Sequence, residues 1–217
     1  MSTSLLDLLH PSGEQGSGSG RYYGVVVGIV TDNQDPNNMA RVRVKFPWLS
    51  DDNESWWARM AVPMAGSGRG TYFLPEVDDE VLVAFEHGDV RSPYIVGSLW
   101  NGKDSPPANN SDGQNNIRVI HSRSGHLVRL DDTNGDEKIE VIDKTGSNKI
   151  TIKSSDNSMT LECTGNLNLD CKGRMTLHAT AGIEMNSDAT VKISANATMD
   201  IESSAPMTIK GALVSIN

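Results

Sequence analysis

The stretch MTLECTGN-LNLDCKGR-MTLHATAG-IEMNSDAT-VKISANAT-MDIESSAP-MTIKGAL, residues 159–213, is one eight-residue phrase said seven times, the last copy one residue short. Its first position holds Met159, Leu167, Met175, Ile183, Val191, Met199 and Met207. Its third holds Leu161, Leu169, Leu177, Met185, Ile193, Ile201 and Ile209. The second and fourth positions are polar throughout, the fifth is always small, and the seventh is Gly or Ala from Gly165 to Ala205. Apolar-polar alternation is the mark of a strand with one buried face, and small residues suit a tight corner before the next strand.

A unit this short must stack on others to bury its apolar side, and it is too short for one turn of an ordinary single-chain solenoid. Three chains winding round one axis meet the geometry, each octad laying a strand on one face and turning to the next. The expectation is an intertwined trimeric β-helix needle over residues 151–217, with those fourteen apolar residues as its shared core. Other readings fit less well. An amphipathic helix would need apolar residues three and four apart, and Gly and Thr disfavour it. A calcium-binding nonapeptide solenoid would need a G-G-x-G-x-D phrase, which is absent. Cys163 and Cys171 share the small fifth position of adjacent octads, so they read as buried filler and not as a metal pair.

Every aromatic residue lies between Tyr22 and Trp100. That shift in composition divides the chain into a front part able to build an ordinary core and a back part that cannot. Between Tyr23 and Leu99 five strands are expected, at Tyr23–Thr31, Met39–Phe46, Trp56–Met64, Glu80–Glu86 and Pro93–Leu99, separated by turn-rich stretches. Five strands in about 80 residues suit an OB-type barrel, assigned to residues 21–104. Residues 105–150 read as a polar linker and an irregular β collar, in which the phrases Ile117-Arg-Val119, Val128-Arg-Leu130, Ile139-Glu-Val141 and Ile150-Thr-Ile152 recur at uneven spacing. Residues 1–20 read as a flexible segment: Leu5, Leu6, Leu8 and Leu9 behind Ser2, Thr3 and Ser4, then the tether PSGEQGSGSG. An apolar tip on such a tether suggests docking to a neighbour.

The net charge is −9, from 19 basic and 28 acidic residues. An acidic chain offers no basic surface to a phosphate backbone, so stacking of nucleic acid on Trp48, Trp56 and Trp57 is the weaker alternative to packing. No apolar run is long enough to span a membrane and no signal peptide is evident, so synthesis in the cytoplasm is expected. The GSGRG of Gly66–Gly70 lacks the G-K-[ST] ending of a phosphate loop and reads as a hairpin. His121, Ser122 and His126 have no nucleophile-elbow phrase around them. No catalytic residue, metal ligand or cofactor is expected, which disfavours a secreted effector enzyme.

Several phrases carry a resemblance. Asp35-Pro36, the RVRVKFPW of Arg41–Trp48, Ser55-Trp56 with Arg59, the FLPEVDDEVLVAFEHGD of Phe73–Asp89 and the VGSLWNG of Val96–Gly102 resemble the OB domain of baseplate spike proteins. That family includes baseplate assembly protein V of contractile phages and the VgrG spike of type VI secretion. The resemblance continues through HSRSGHLVRLDD into the octads. The family often has Gly where this chain has Asp78, a residue that tolerates the left-handed backbone. The resemblance implies a structural central spike assembled into a phage tail or tail-like particle. It further implies a homotrimer docked under a baseplate hub protein, the leucines of residues 5–9 making the hub contact, and puncture of a target cell membrane. The alternative is a nucleic-acid-binding OB protein on a trimerising β stalk. The last strand phrase, Val214-Ser-Ile216, arrives one residue early, and no His follows His178 to build a His-x-His metal apex. Val214, Ile216 and Asn217 are therefore expected to dock a separate tip protein of the PAAR type.

Overall fold

The structure is a computed structural model and describes residues 21–49 and 54–216. The chain divides into two units, residues 1–164 and 165–217. All regular structure of the described residues is β except one 3-10 turn at Glu86–Gly88.

The first unit opens with β1 (Val25–Asp32), β2 (Arg43–Lys45), β3 (Arg59–Met60), the short hairpin β4 (Ala65–Gly66) and β5 (Arg69–Gly70), β6 (Glu80–Phe85) and β7 (Pro93–Leu99). The sheet order is β2-β1-β6-β7-β3. Pairing is antiparallel except between β3 and β7, which run parallel through Arg59–Tyr94 and Met60–Ile95. Bridges at Val42–Ala58 and Lys45–Glu54 join β2 to the segment that runs into β3, so the circuit of pairings returns to its start. A five-stranded barrel closed by that parallel pair is the OB architecture.

Strand alternation fills the barrel. Val30, Val42, Val44, Ala58, Val81, Val83 and Ile95 are fully buried, with Phe46 and Phe85 at one end. Gly28 lies on the same inward face because a Cβ there would stand 3.2–3.3 Å from Val83 and Val44. All five expected strands form, but β2 and β3 are shorter than the alternation suggested. The approach to β2 is taken up by a loop. Asp35 accepts the backbone N–H groups of Asn37 and Met39, each at 3.0 Å, and the Arg41 guanidinium at 2.7 and 2.8 Å. The Arg41 hydrogen bonds hold the Asp35 carboxyl well below the usual carboxylate range. Asn38 and Ala40 are left-handed at φ 54° and 53°, incompatible with a strand. Asp78, where the family often has Gly, is left-handed too, at φ 75°, and its N–H donates to the Val30 carbonyl at 2.9 Å.

The first unit continues as an antiparallel meander of five strands: β8 (Ile117–His121), β9 (Leu127–Asp131), β10 (Lys138–Ile142), β11 (Lys149–Lys153) and β12 (Ser158–Glu162), each paired only with its chain neighbours. Every connection holds one left-handed residue: Gly125, Gly135, Gly146 or Asn157. The collar expected over residues 105–150 thus runs on into the first octad, whose Met159 and Leu161 lie on the edge strand β12.

The second unit has no strand among its described residues. It bends at residues 172–173, 180–181, 188–189, 196–197 and 204–205. The repeat of eight residues read from the sequence is therefore also a repeat of backbone conformation, with the sixth and seventh positions of each octad at the corner.

Candidate assembly interface

Directly paired residues of an antiparallel sheet share a face, so the meander's register sorts its side chains. One face carries two rows across the strands. The first is Arg118, Leu130, Ile139, Ile152 and Met159; the second is Ile120, Val128, Val141, Ile150 and Leu161. All nine apolar members are large and exposed, from Val128 at 37% to Met159 at 72%.

The opposite face is charged and better covered. Arg129 and Glu140 stand directly opposite one another. The Arg129 guanidinium donates to Glu140 through Nε at 2.8 Å and through Nη2, and Glu140 is 9% exposed. Lys138 and Lys153 both reach Asp136, at 2.6 and 2.9 Å, and their hydrogen bonds hold its pKa at about 2. Asp131 accepts the Thr133 hydroxyl at 2.6 Å, which lowers its pKa against the opposing effect of burial. Lys149 pairs with Glu162 at 2.7 Å. The usual placement is largely inverted: apart from Arg118–Asp132 the meander's ion pairs lie on the better-covered face, and nine large apolar side chains lie on the open one. A contiguous exposed apolar patch of this kind marks an interaction surface.

The phrase Ile117-Arg-Val119 differs from its expected role. Ile120, not Ile117 or Val119, joins the apolar row opposite Val128, and Arg118 takes the other slot, paired with Asp132. The strand IRVIH has apolar residues in both alternation phases, so its own pattern could not decide. The four-residue turn at Ser122–Gly125 sets the register instead. The Arg129–Glu140 pair, also unforeseen, had a signal: opposite charges in the middle slot of neighbouring strand phrases.

In the second unit every described residue is exposed in the single chain. First-position residues from Leu167 to Met207 are 44–58% exposed and third-position residues from Leu169 to Ile209 are 66–70% exposed. The narrow spread within each class shows that the six octads from Leu167 onward present their apolar pair alike. Cys163 and Cys171 are also exposed in the single chain. At the end, Val214 is half-exposed and Ile216 nearly fully so; Asn217 lies outside the described residues, as do Leu5, Leu6, Leu8 and Leu9.

Other sequence candidates resolve into packing. Trp48 lies against Tyr22 and Phe46, with ring centroids 4.9 and 5.9 Å away. The Arg43 and Arg41 guanidiniums stack on Trp57 at 4.9 and 5.8 Å, and Trp56 is the most exposed of the three. Gly66–Gly70 belongs to the β4–β5 hairpin, as its reading anticipated. The Ser122 hydroxyl accepts the His126 backbone N–H at 2.9 Å, and His126 Nδ1 accepts that of Lys144 at 3.2 Å, so both serve turns. Among the described residues no group of His, Cys, Asp and Glu is placed to hold a metal ion, and no helix is long and apolar enough to cross a membrane.

These features define an all-β protein: an OB barrel followed by β structure that turns its aliphatic side outward. Residues 26–100 match the family model of the type VI secretion system/phage-baseplate injector OB domain. The type VI secretion system spike protein VgrG3 of Vibrio cholerae is 37% identical over 75 residues, 33% of this chain and 7% of the relative. The spike proteins VgrG1a and VgrG4b of Pseudomonas aeruginosa are 29% identical over 130 residues and 32% over 126; each match takes in 54% of this chain, and 20% and 16% of the relative. The OB domain of this chain is thus similar to that of the baseplate and VgrG spike proteins. The chain spans a fifth or less of the length of these relatives.

Proposed function

We propose that this chain is the structural central spike of a contractile injection system and works as a homotrimer. The observation that carries the proposal is the meander's open face, where nine large apolar side chains stand exposed in two adjacent rows. Three copies turning those faces inward would remove them from water, at about 25 cal/mol per Å² of apolar area. The octads extend the argument. Among the described residues the octads from Leu167 onward form no strand, yet backbone N–H and C=O groups need partners wherever they are buried. Neighbouring chains of a triple-stranded β-helix would supply those partners and bury the first and third positions. Fourteen residues from Met159 to Ile209 would then form the trimer core.

The work proposed is mechanical and not enzymatic. The barrels would dock beneath a baseplate hub protein, with the leucines of residues 5–9 in reach of it. The needle would carry the contraction force to the target cell membrane, since bending it must break many interchain hydrogen bonds together. The names of the relatives favour a type VI secretion setting, and the family model admits a phage baseplate equally. Native mass spectrometry tests the central claim. A species of about 70 kDa, three chains of 23.4 kDa, should persist on dilution to nanomolar concentration. A folded monomer in solution would refute it.

Val214 and Ile216, apolar and exposed, are proposed to receive a PAAR-type tip protein, because exposed apolar side chains invite association. Deleting residues 212–217 should abolish capture of such a protein while the trimer mass, less the deletion, is unchanged. Undiminished capture would show that the tip docks elsewhere.

A further inference from the structure

A groove of about 800 Å³ opens on the barrel between the Asn38–Arg41 loop, β3, the β4–β5 hairpin and Thr71–Leu74. It has two unusual properties. Its apolar side chains are large and open, with Met39 61%, Met64 51%, Tyr72 74% and Phe73 64% exposed. Its charge runs against that of the protein: Arg41, Arg59 and Arg69 line it and no carboxylate does, in a chain of net charge −9. Arg41 is neutralised by Asp35 behind the lining, and Arg59 lies over the Tyr94 ring with its Nη1 3.4 Å from the hydroxyl. Among the described residues Arg69 has no carboxylate partner. An apolar trough with spare positive charge fits an aliphatic, acidic segment.

The chain itself contains one. SLLDLLH, residues 4–10, has Leu5, Leu8 and Leu9 at the i, i+3, i+4 spacing of a groove-binding face, with Asp7 among them. It is joined to the barrel by the ten residues PSGEQGSGSG. A chain of contacts links the root of that tether to the groove. The Tyr22 N–H donates to the Gly88 carbonyl at 2.9 Å, and Gly88 closes the 3-10 turn begun by Glu86. Glu86 accepts the Tyr94 hydroxyl at 3.1 Å, and Tyr94 meets the groove residue Arg59. A Gly/Ser tether of that length has an r.m.s. span of about 16–19 Å and reaches about 33 Å when extended.

We infer that the N-terminal segment of this chain seats Leu5, Leu8 and Leu9 in the Met39–Met64–Phe73 groove of the barrel, with Asp7 toward Arg69. The seat covers two apolar surfaces at once, and a hub protein would displace the segment when it binds. The inference rests on the barrel alone and stands whether or not the chain is a spike.

Oxidation of methionine by dilute hydrogen peroxide, read by peptide mass spectrometry on the full chain, tests it. A short tether holds its segment at about millimolar concentration, so an affinity of about 100 μM would fill the groove roughly nine-tenths of the time and slow oxidation of Met39 and Met64 about tenfold. The full chain should show that protection, and L5S/L8S/L9S should lose it. Adding a synthetic peptide of residues 1–12 to the variant should restore it, and Met175 and Met199 should oxidise equally in both proteins. Equal oxidation of Met39 and Met64 in both would overturn the inference. So would protection that survives in the variant and rises with protein concentration, the signature of a second copy in the groove. Native mass spectrometry of the same samples reports the oligomeric state separately.

Discussion

Ile193→Asp should abolish the thermal stability of the needle, while Lys192→Asp, one residue away, should leave it within a few degrees of the parent. Ile193 is the third position of its octad and Lys192 the second, so alternation puts their side chains on opposite faces. In a three-chain assembly the aspartates would converge on one axis. Each carboxylate would leave water unpaired, at a cost on the order of several kcal/mol, and three like charges held together would raise it further. Lys192 would face solvent, where most substitutions fall within about 0.5 kcal/mol. In the isolated chain Ile193 is 68% exposed, so the substitution would be nearly silent if the chain worked alone. Melting curves followed by far-UV circular dichroism decide the matter, and matched midpoints for the two variants would place the octad faces wrongly.

How much of this was legible in the sequence depended on whether periodicity or register held the information. The barrel strands were legible because each alternates in one phase, as VRVKF does from Val42 to Phe46, with Val42, Val44 and Phe46 buried and Arg43 and Lys45 between them. Their ends were less so, because the start of β2 is set by the Asp35–Arg41 cluster, a contact across six residues that propensity does not encode. The octads were legible as a repeat, and the bends recurring with them place the corners where the small residues predicted. The meander was only half legible. Its strand phrases were visible, but β8 carries apolar residues in both phases and its side-chain directions follow from a turn. The groove was hidden, since Met39, Met64 and Phe73 come from separate segments with no shared pattern. The leucines of residues 5–9 gained a candidate partner only when those segments were seen on one surface.

Val141→Asp should convert the assembled protein to monomers while leaving the barrel folded. Val141 occupies the middle of the second apolar row, between Val128 and Ile150, and is 46% exposed in the single chain. A carboxylate there costs the lone chain little, because water still reaches it. In a trimer built on these faces it would stand among aliphatic neighbours at three equivalent places. Losing the buried valine forfeits up to about 1.5–3 kcal/mol per chain, and an uncompensated buried charge adds about 3–5 kcal/mol. The barrel is insulated because its core, from Val30 to Ile95, lies within one chain. Its tryptophan fluorescence should therefore stay native while the sedimentation coefficient falls to that of one chain. Thr160→Glu is the matched control. Thr160 faces the charged side of edge strand β12 opposite Thr151, with Lys149 and Lys153 diagonally across, so a new carboxylate there meets two cations and the trimer should persist. A trimeric Val141→Asp protein would mean that the aliphatic face of the meander is not where the chains meet.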